Sequence, residues 1–306
     1  MRRFVIFFTV VLFVAFIGAV YWVGDILTRP YRVETGSPPT DLGAHTLTFR
    51  SGTGTTLSGW FFPGISGRGA ILLLHPIGSN KRRMLPRAQF LIHEGFSVLL
   101  IDLQAHGESS GEHITFGYRE AADVDAATEK LKGLAPGEKI GVVGISLGAA
   151  SLLFSGVHSS FSAIVLESLY STIDEAVTNR LQIYLGSLGT LLTPLLLSQL
   201  KWRLGISPDK LRPIDLVSQL RAPVLVIHGT EDSHTTILEA ERLFAAIPEP
   251  REFYKVRGAA HIDLHTYAGD EYEQRMVSFF AHYLSGGLIL SAPNQRELAR
   301  KGKGRS

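Results

Sequence analysis

The sequence contains no cysteine. That excludes disulfides, a thiol nucleophile, a cysteine-based zinc site and a lipoprotein-type cysteine anchor. It leaves the compartment open, because either side of a membrane tolerates its absence. Charge of one sign is also scarce. The 30 Lys and Arg against 28 Asp and Glu leave a formal charge of only +2, so bulk charge gives no support to nucleic-acid binding. There are no internal repeats and no low-complexity blocks. What is plentiful is apolar sequence. At 45% of 306 residues it is enough for a sizeable core, and α/β folds of this length are often single domains.

The apolar residues are concentrated first at the N-terminus. Met1-Arg2-Arg3 precedes Phe4 to Gly24, a run interrupted only by Thr9, Tyr21 and two glycines. About 20 such residues cross a bilayer core as a helix. Tyr21 and Trp22 stand near the far end, where interfacial aromatics belong. A cleaved signal peptide would have a shorter apolar region, and Ile17-Gly18-Ala19 is a poor cleavage site. Residues 1–28 are therefore expected to be an uncleaved single-pass anchor. Arg2, Arg3 and the terminal amine favour a cytoplasmic N-terminus with the remaining chain outside, and Arg29 and Arg32 weigh against that orientation. Residues 29–43, with Pro30, Pro38 and Pro39, read as an exposed linker.

From residue 44 the pattern changes. His45–Arg50 and Leu57–Phe62 read as strands joined by the turn Ser51-Gly52-Thr53-Gly54. Ala70–Leu74, Phe96–Ile101, Ile140–Val143, Ala163–Leu166 and Val224–Ile227 are short apolar runs without alternation, as strands buried on both faces require. Arg251–Val256 reads as a further strand. Between them, Tyr118, Ala121, Val124, Ala127 and Leu131 recur at helical spacing, as do Tyr272, Met276, Phe279, Phe280 and Tyr283. Strands alternating with amphipathic helices predict an α/β fold over 44–285: a mostly parallel central sheet with helices on both faces. Residues 172–213 break the alternation, with leucines around Pro194, and are expected to form a small helical lid. The basic stretch 286–306 reads as a disordered tail.

The chemistry lies in Gly144-Ile145-Ser146-Leu147-Gly148. An apolar strand runs into it and a helical pattern follows. A nucleophilic serine on such a turn needs small neighbours, because the strand-to-helix reversal is tight and strained. A serine hydroxyl is a weak nucleophile without a base, and the partners should follow in the order Ser, acid, His. Val224–Ile227 leads to Gly229-Thr230-Glu231-Asp232, which offers Asp232 with Glu231 as the alternative. Gly258-Ala259-Ala260-His261 then presents a histidine among small residues, with His265 as the alternative base. Oxyanion donors are expected from the backbone N–H of Leu147 and, in the loop His75-Pro76-Ile77-Gly78-Ser79-Asn80, of Ile77.

Taken in order, the His75–Gly78 loop, Asp102-Leu103-Gln104-Ala105-His106-Gly107-Glu108-Ser109, the Ser146 turn, Gly229–Asp232 and His261 resemble the α/β-hydrolase superfamily. The chain looks most like its small membrane-anchored branch, grouped with Bem46-like and serine aminopeptidase-like hydrolases. It departs from that pattern at Pro76, where relatives usually carry Gly, and at Gln104-Ala105, where Arg-Gly usually stands. The resemblance implies an α/β-hydrolase fold and a Ser146–Asp232–His261 triad, with His75 and His106 structural.

The expected activity is hydrolysis of an ester, thioester or amide through an acyl-serine intermediate. Lid and anchor favour an acyl or lipid-like substrate, and the partners expected are that small molecule and the membrane, not nucleic acid. No cofactor is expected. Nor is a metal, since His261-x-x-x-His265 has one-face spacing but no third ligand. Oligomeric state is not legible. The competing reading is a non-catalytic membrane-tethered binding module that keeps the fold; retention of all three candidate residues argues against it.

Overall fold

The computed structural model describes residues 1–285. The basic stretch 286–306 lies outside the described residues. In chain order the elements are α1 (Arg2–Thr28), β1 (Tyr31–Arg32), β2 (His45–Arg50), β3 (Thr56–Phe62), β4 (Ala70–Leu74), α2 (Leu85–His93), β5 (Ser97–Ile101) and β6 (His106–Gly107). There follow α3 (Ala121–Leu134), β7 (Ile140–Ile145), α4 (Leu147–Phe154), β8 (Ala163–Glu167), α5 (Ile173–Leu185) and α6 (Thr193–Leu204). The chain then runs through β9 (Val224–Gly229), α7 (Ile237–Ala246), β10 (Arg251–Val256), α8 (Leu264–Ala268) and α9 (Asp270–Leu284).

Eight strands form one sheet in the order β10-β9-β8-β7-β4-β5-β3-β2. Pairing is parallel from β10 to β5, and antiparallel where β3 meets β5 and β2. The unalternating apolar runs have the cause expected of them. Along β4, Leu72 and Leu74 enter one core with α3 and α4, while Ile71 and Leu73 enter the other with α2 and α9. Val142 and Val143 of β7 divide in the same way. Each side chain fully removed from water contributes roughly 1.5–3 kcal/mol, so the central strands drive assembly on both faces.

Between β8 and β9 the chain leaves the sheet as α5 and α6. Thr172 caps α5 by accepting from the Glu175 N–H, and the Glu175 side chain accepts from the Thr172 hydroxyl, a reciprocal capping pair. Pro194 does not interrupt a leucine helix. It sits in the first turn of α6, where its missing N–H costs nothing.

Two expectations are corrected. Tyr118 lies before α3 and is exposed, so the buried face of that helix begins at Ala121. Residues 29–43 are not a free linker throughout. Tyr31 N–H donates to Ala105 O (2.8 Å), Val33 N–H donates to Gly107 O (3.2 Å), and β1 pairs with β6. The Thr35 and Gly36 amides donate to Glu108 Oε1 at 2.9 and 3.1 Å. Among the described residues one helix, α1, is long and apolar enough to cross a membrane. Most of its side chains are exposed, but Gly24 and Thr28 at its foot are buried against the domain.

Candidate active site

β7 delivers Ser146 to the C-terminal edge of the sheet, between β4 and β8. Ser146 has φ 48° and ψ −103°, a backbone conformation costly for a residue with a Cβ. It is held there by its N–H to Glu167 O (2.8 Å) and by its C=O, which accepts from Ala150 N–H (3.0 Å) in the first turn of α4. The flanking glycines are required by space. A Cβ on Gly148 would lie 2.5 Å from Leu74 O, and one on Gly144 would lie 2.6 Å from Ala149 Cα.

Asp232 follows β9 and is buried. Its Oδ1 accepts from the His234 and Thr235 amides at 2.8 and 2.9 Å. Its Oδ2 accepts from Thr235 Oγ1 (3.0 Å) and lies 2.7 Å from His261 Nδ1. Burial pushes the Asp232 carboxyl up, yet the hydrogen bond and charge of His261 and the Thr235 amide hold it below the usual range. His261 sits on the loop after β10. The alternatives lie elsewhere: Glu231 is exposed, and His265 bonds Glu273 (2.7 Å) and packs on Phe90 and Tyr272.

Ser146 and His261 line one cleft of 380 Å³. Among the described residues the Ser146 hydroxyl has no hydrogen-bond partner. Ile77 lines the same cleft, and neither its N–H nor that of Leu147 donates within the described chain. For Leu147, the first residue of α4, that is the expected orphan donor of a helix start. The structure thus brings Ser146, His261 and Ile77 to one cleft, joins Asp232 to His261, and leaves two amide donors beside Ser146.

Behind these residues, two histidines tie the Ile77 loop to the loop 102–111. His75 Nε2 accepts from Leu103 N–H (3.0 Å) and its Nδ1 lies 2.8 Å from Pro76 O. His106 Nε2 accepts from Gly78 N–H (3.3 Å) and its Nδ1 lies 3.0 Å from Gln104 O. Each ring thus has an N–H to give and a lone pair to accept, which suits the neutral form. Burial drives His75 down to about 4, and burial plus the neighbouring His75 drives His106 to about 3. Lys81 is buried, its Nζ on Asp102 (2.6 Å), Glu108 (2.8 Å) and Ser58 (3.0 Å). Arg87 binds Glu167, Asp263 and the Tyr272 hydroxyl, and Arg87, Glu167 and Asp263 themselves line the cleft.

Sequence reasoning missed His234, Arg180 and Glu167 among the residues of the cleft. His234 packs on His261 with ring centroids 4.9 Å apart. Arg180 and Glu167 line the cleft. Only the proximity of His234 to Asp232 could have signalled it. The other two are brought in by the lid and by the strand beside the serine. Asp232, His234 and His261 offer three donor atoms within 4.8 Å of one another, a metal-type cluster. Both Asp232 oxygens are already engaged by protein donors, an arrangement that orients an imidazole rather than leaving a carboxylate free for an ion.

Comparison with known proteins agrees with this fold. The family described as serine aminopeptidase, S33, matches residues 66–204. An uncharacterized protein of Mycobacterium tuberculosis is 32% identical over 214 residues, covering 69% of this chain and 69% of that protein. The uncharacterized protein YqkD of Bacillus subtilis is 26% identical over 213 residues, covering 68% and 70%. Among solved structures, the Pyrococcus furiosus esterase Pf2001 superposes with a TM-score of 0.69 at 23% identity, over 83% of this chain and 99% of that one. The chain belongs to the α/β-hydrolase superfamily and is by superfamily a hydrolase.

Proposed function

We propose that this chain is a membrane-tethered serine hydrolase that cleaves a carboxylic ester, thioester or amide through an acyl-serine intermediate. One observation carries the reading: Ser146, on its strained turn, and His261, bonded to Asp232, line the same cleft.

Ser146 Oγ attacks the substrate carbonyl carbon, and its proton passes to His261 Nε2. The carbonyl electron pair moves to oxygen, and the resulting oxyanion accepts from the Ile77 and Leu147 amides. Losing one such donor costs about 3–4 kcal/mol in the transition state. As the carbonyl re-forms, the bond to the leaving group breaks and His261 returns the proton to it. Water repeats the sequence, releasing the acid and restoring Ser146. Asp232 takes no proton; it fixes the imidazole tautomer and stabilises its cation.

The tether is α1. Support for its retention comes from its foot, where Gly24 and Thr28 are buried and Gln199 Nε2 donates to Val20 O (2.9 Å). Arg2 and Arg3 favour a cytoplasmic N-terminus with the hydrolase domain outside. The substrate class is an acyl or lipid-like compound, and the apolar cavity beside Ser146 supports it.

Labelling with a fluorophosphonate tests the activity. Wild type should label and Ser146→Ala should not; equal labelling, or none in wild type, rejects the serine mechanism. Protease accessibility of the domain in sealed right-side-out vesicles tests the topology, and full protection would reverse it.

A further inference from the structure

Two cavities meet at Ser146. The cleft that holds His261 is the more polar of the two. The second, of 150 Å³, is apolar; Phe116, Tyr170, Ile173 and Val177 line it, and so does Leu27. Leu27 belongs to the last turn of α1, the helix that would cross the bilayer.

The foot of α1 is built into the domain. Thr28 O accepts from Ile114 N–H (2.8 Å). Arg203 of α6 donates to Tyr21 O and packs its guanidinium 4.0 Å from the Tyr21 ring centroid. The Gln199 side-chain amide of α6 lies over Gly24, 2.3 Å from where a Cβ would stand. A narrower apolar gap of 30 Å³ continues the seam between Leu27 and Leu200.

The two cavities have different chemical duties. The oxyanion faces the Ile77 and Leu147 amides. The leaving group must lie on the His261 side, because His261 returns its proton. The acyl substituent then points the other way, into the cavity that His261 does not line.

We propose that Leu27 of the N-terminal helix is a specificity-determining residue of the active site, closing the pocket that receives the acyl chain of a medium-chain acyl ester or thioester. This rests on Ser146 being the nucleophile. The tether is then also a wall of the substrate site, and chain length is measured against it.

The test uses the full-length protein in detergent, with p-nitrophenyl acetate, octanoate and laurate. In Leu27→Trp the octanoate-to-acetate ratio of kcat/KM should fall about tenfold, since pocket fit is worth that much per group or two. In Leu27→Ala the laurate-to-octanoate ratio should rise. Leu12→Trp, in the middle of α1, should keep the wild-type ratios. Unchanged ratios in both Leu27 variants, or the same shift in Leu12→Trp, overturn the proposal. Should Leu27→Trp fail to fold, the Leu27→Ala ratio alone decides. Fluorophosphonate labelling separates the two levels. Labelling that depends on Ser146 together with unchanged ratios rejects only the Leu27 role, whereas no labelling rejects the nucleophile and the proposal with it.

Discussion

His106 Nε2 accepts the Gly78 N–H at 3.3 Å, one residue beyond the expected oxyanion donor Ile77. The acceptor lone pair exists only while the ring is neutral. With His75 about 4 and His106 about 3 in the fold, against an ordinary value of 6.5, the unfolded chain takes up protons first as pH falls. Their contribution is therefore present above about pH 6.5 and is lost as pH falls toward those folded values. For His75 the loss is roughly 3 kcal/mol. Asp123, pushed up to about 8 by burial, acts in the opposite direction over the same range. The clean measurement is thus the stability difference between wild type and His75→Gln in urea. It should narrow between pH 7 and pH 4; a difference independent of pH would refute the neutral-histidine account.

Much of this site was legible because its logic is local. A turn that admits only small residues beside Ser146 writes Gly144 and Gly148 into the sequence. Strands buried on both faces write unbroken apolar runs. Asp232 and His261 follow their strands closely, so chain order puts them forward as candidates. Leu27, Arg180 and the docking of residues 31–36 were not legible. Leu27 reads as one more apolar residue of an anchor, and its role depends on α6 closing against α1. The 31–36 docking is made chiefly by backbone groups, which leave no side-chain pattern.

Asp232 and Glu231 differ in environment, so substitution should separate them. Asp232→Asn leaves His261 with the wrong tautomer and should lower kcat about 10⁴-fold. Glu231→Gln, exposed and without a side-chain partner in the cleft, should stay within about twofold of wild type, as surface changes do. His265→Gln should do the same for kcat. Steady-state kinetics on a soluble p-nitrophenyl ester read all three, and a larger loss in Glu231→Gln than in Asp232→Asn would reassign the acid.

Lys81 is buried with Asp102, and Glu108 beside it is drawn down to about 2, chiefly by the Lys81 ammonium working against burial. Lys81→Met should cost about 3–5 kcal/mol, because it strands the buried Asp102 carboxylate. The double variant Lys81→Met/Asp102→Asn should recover part of that loss, since the fully buried Asp102 charge is gone and only the partly exposed Glu108 carboxylate loses its ammonium partner. Thermal or urea unfolding measures both. Equal losses in the single and double variants would mean that packing against Trp60, 5.2 Å from the ammonium, matters more than charge.

The docked connector makes a prediction about proteolysis. A flexible linker would be cut by trypsin after Arg32. Here the Arg32 guanidinium donates to Ser109 O and to Gly111 O, and its neighbours pair with the backbone of 105 and 107. The bond would have to leave β6 before a protease could bind it in extended form. Cleavage at Arg32–Val33 should therefore track unfolding of the whole domain and be suppressed in native buffer. Arg32→Ala removes two anchoring hydrogen bonds, each worth about 1 kcal/mol. In that variant the adjacent connector should open locally and be cut by a protease of broad specificity while the sheet stays folded. Rapid native-state cutting at Arg32 in wild type would show that β1 is not held on β6.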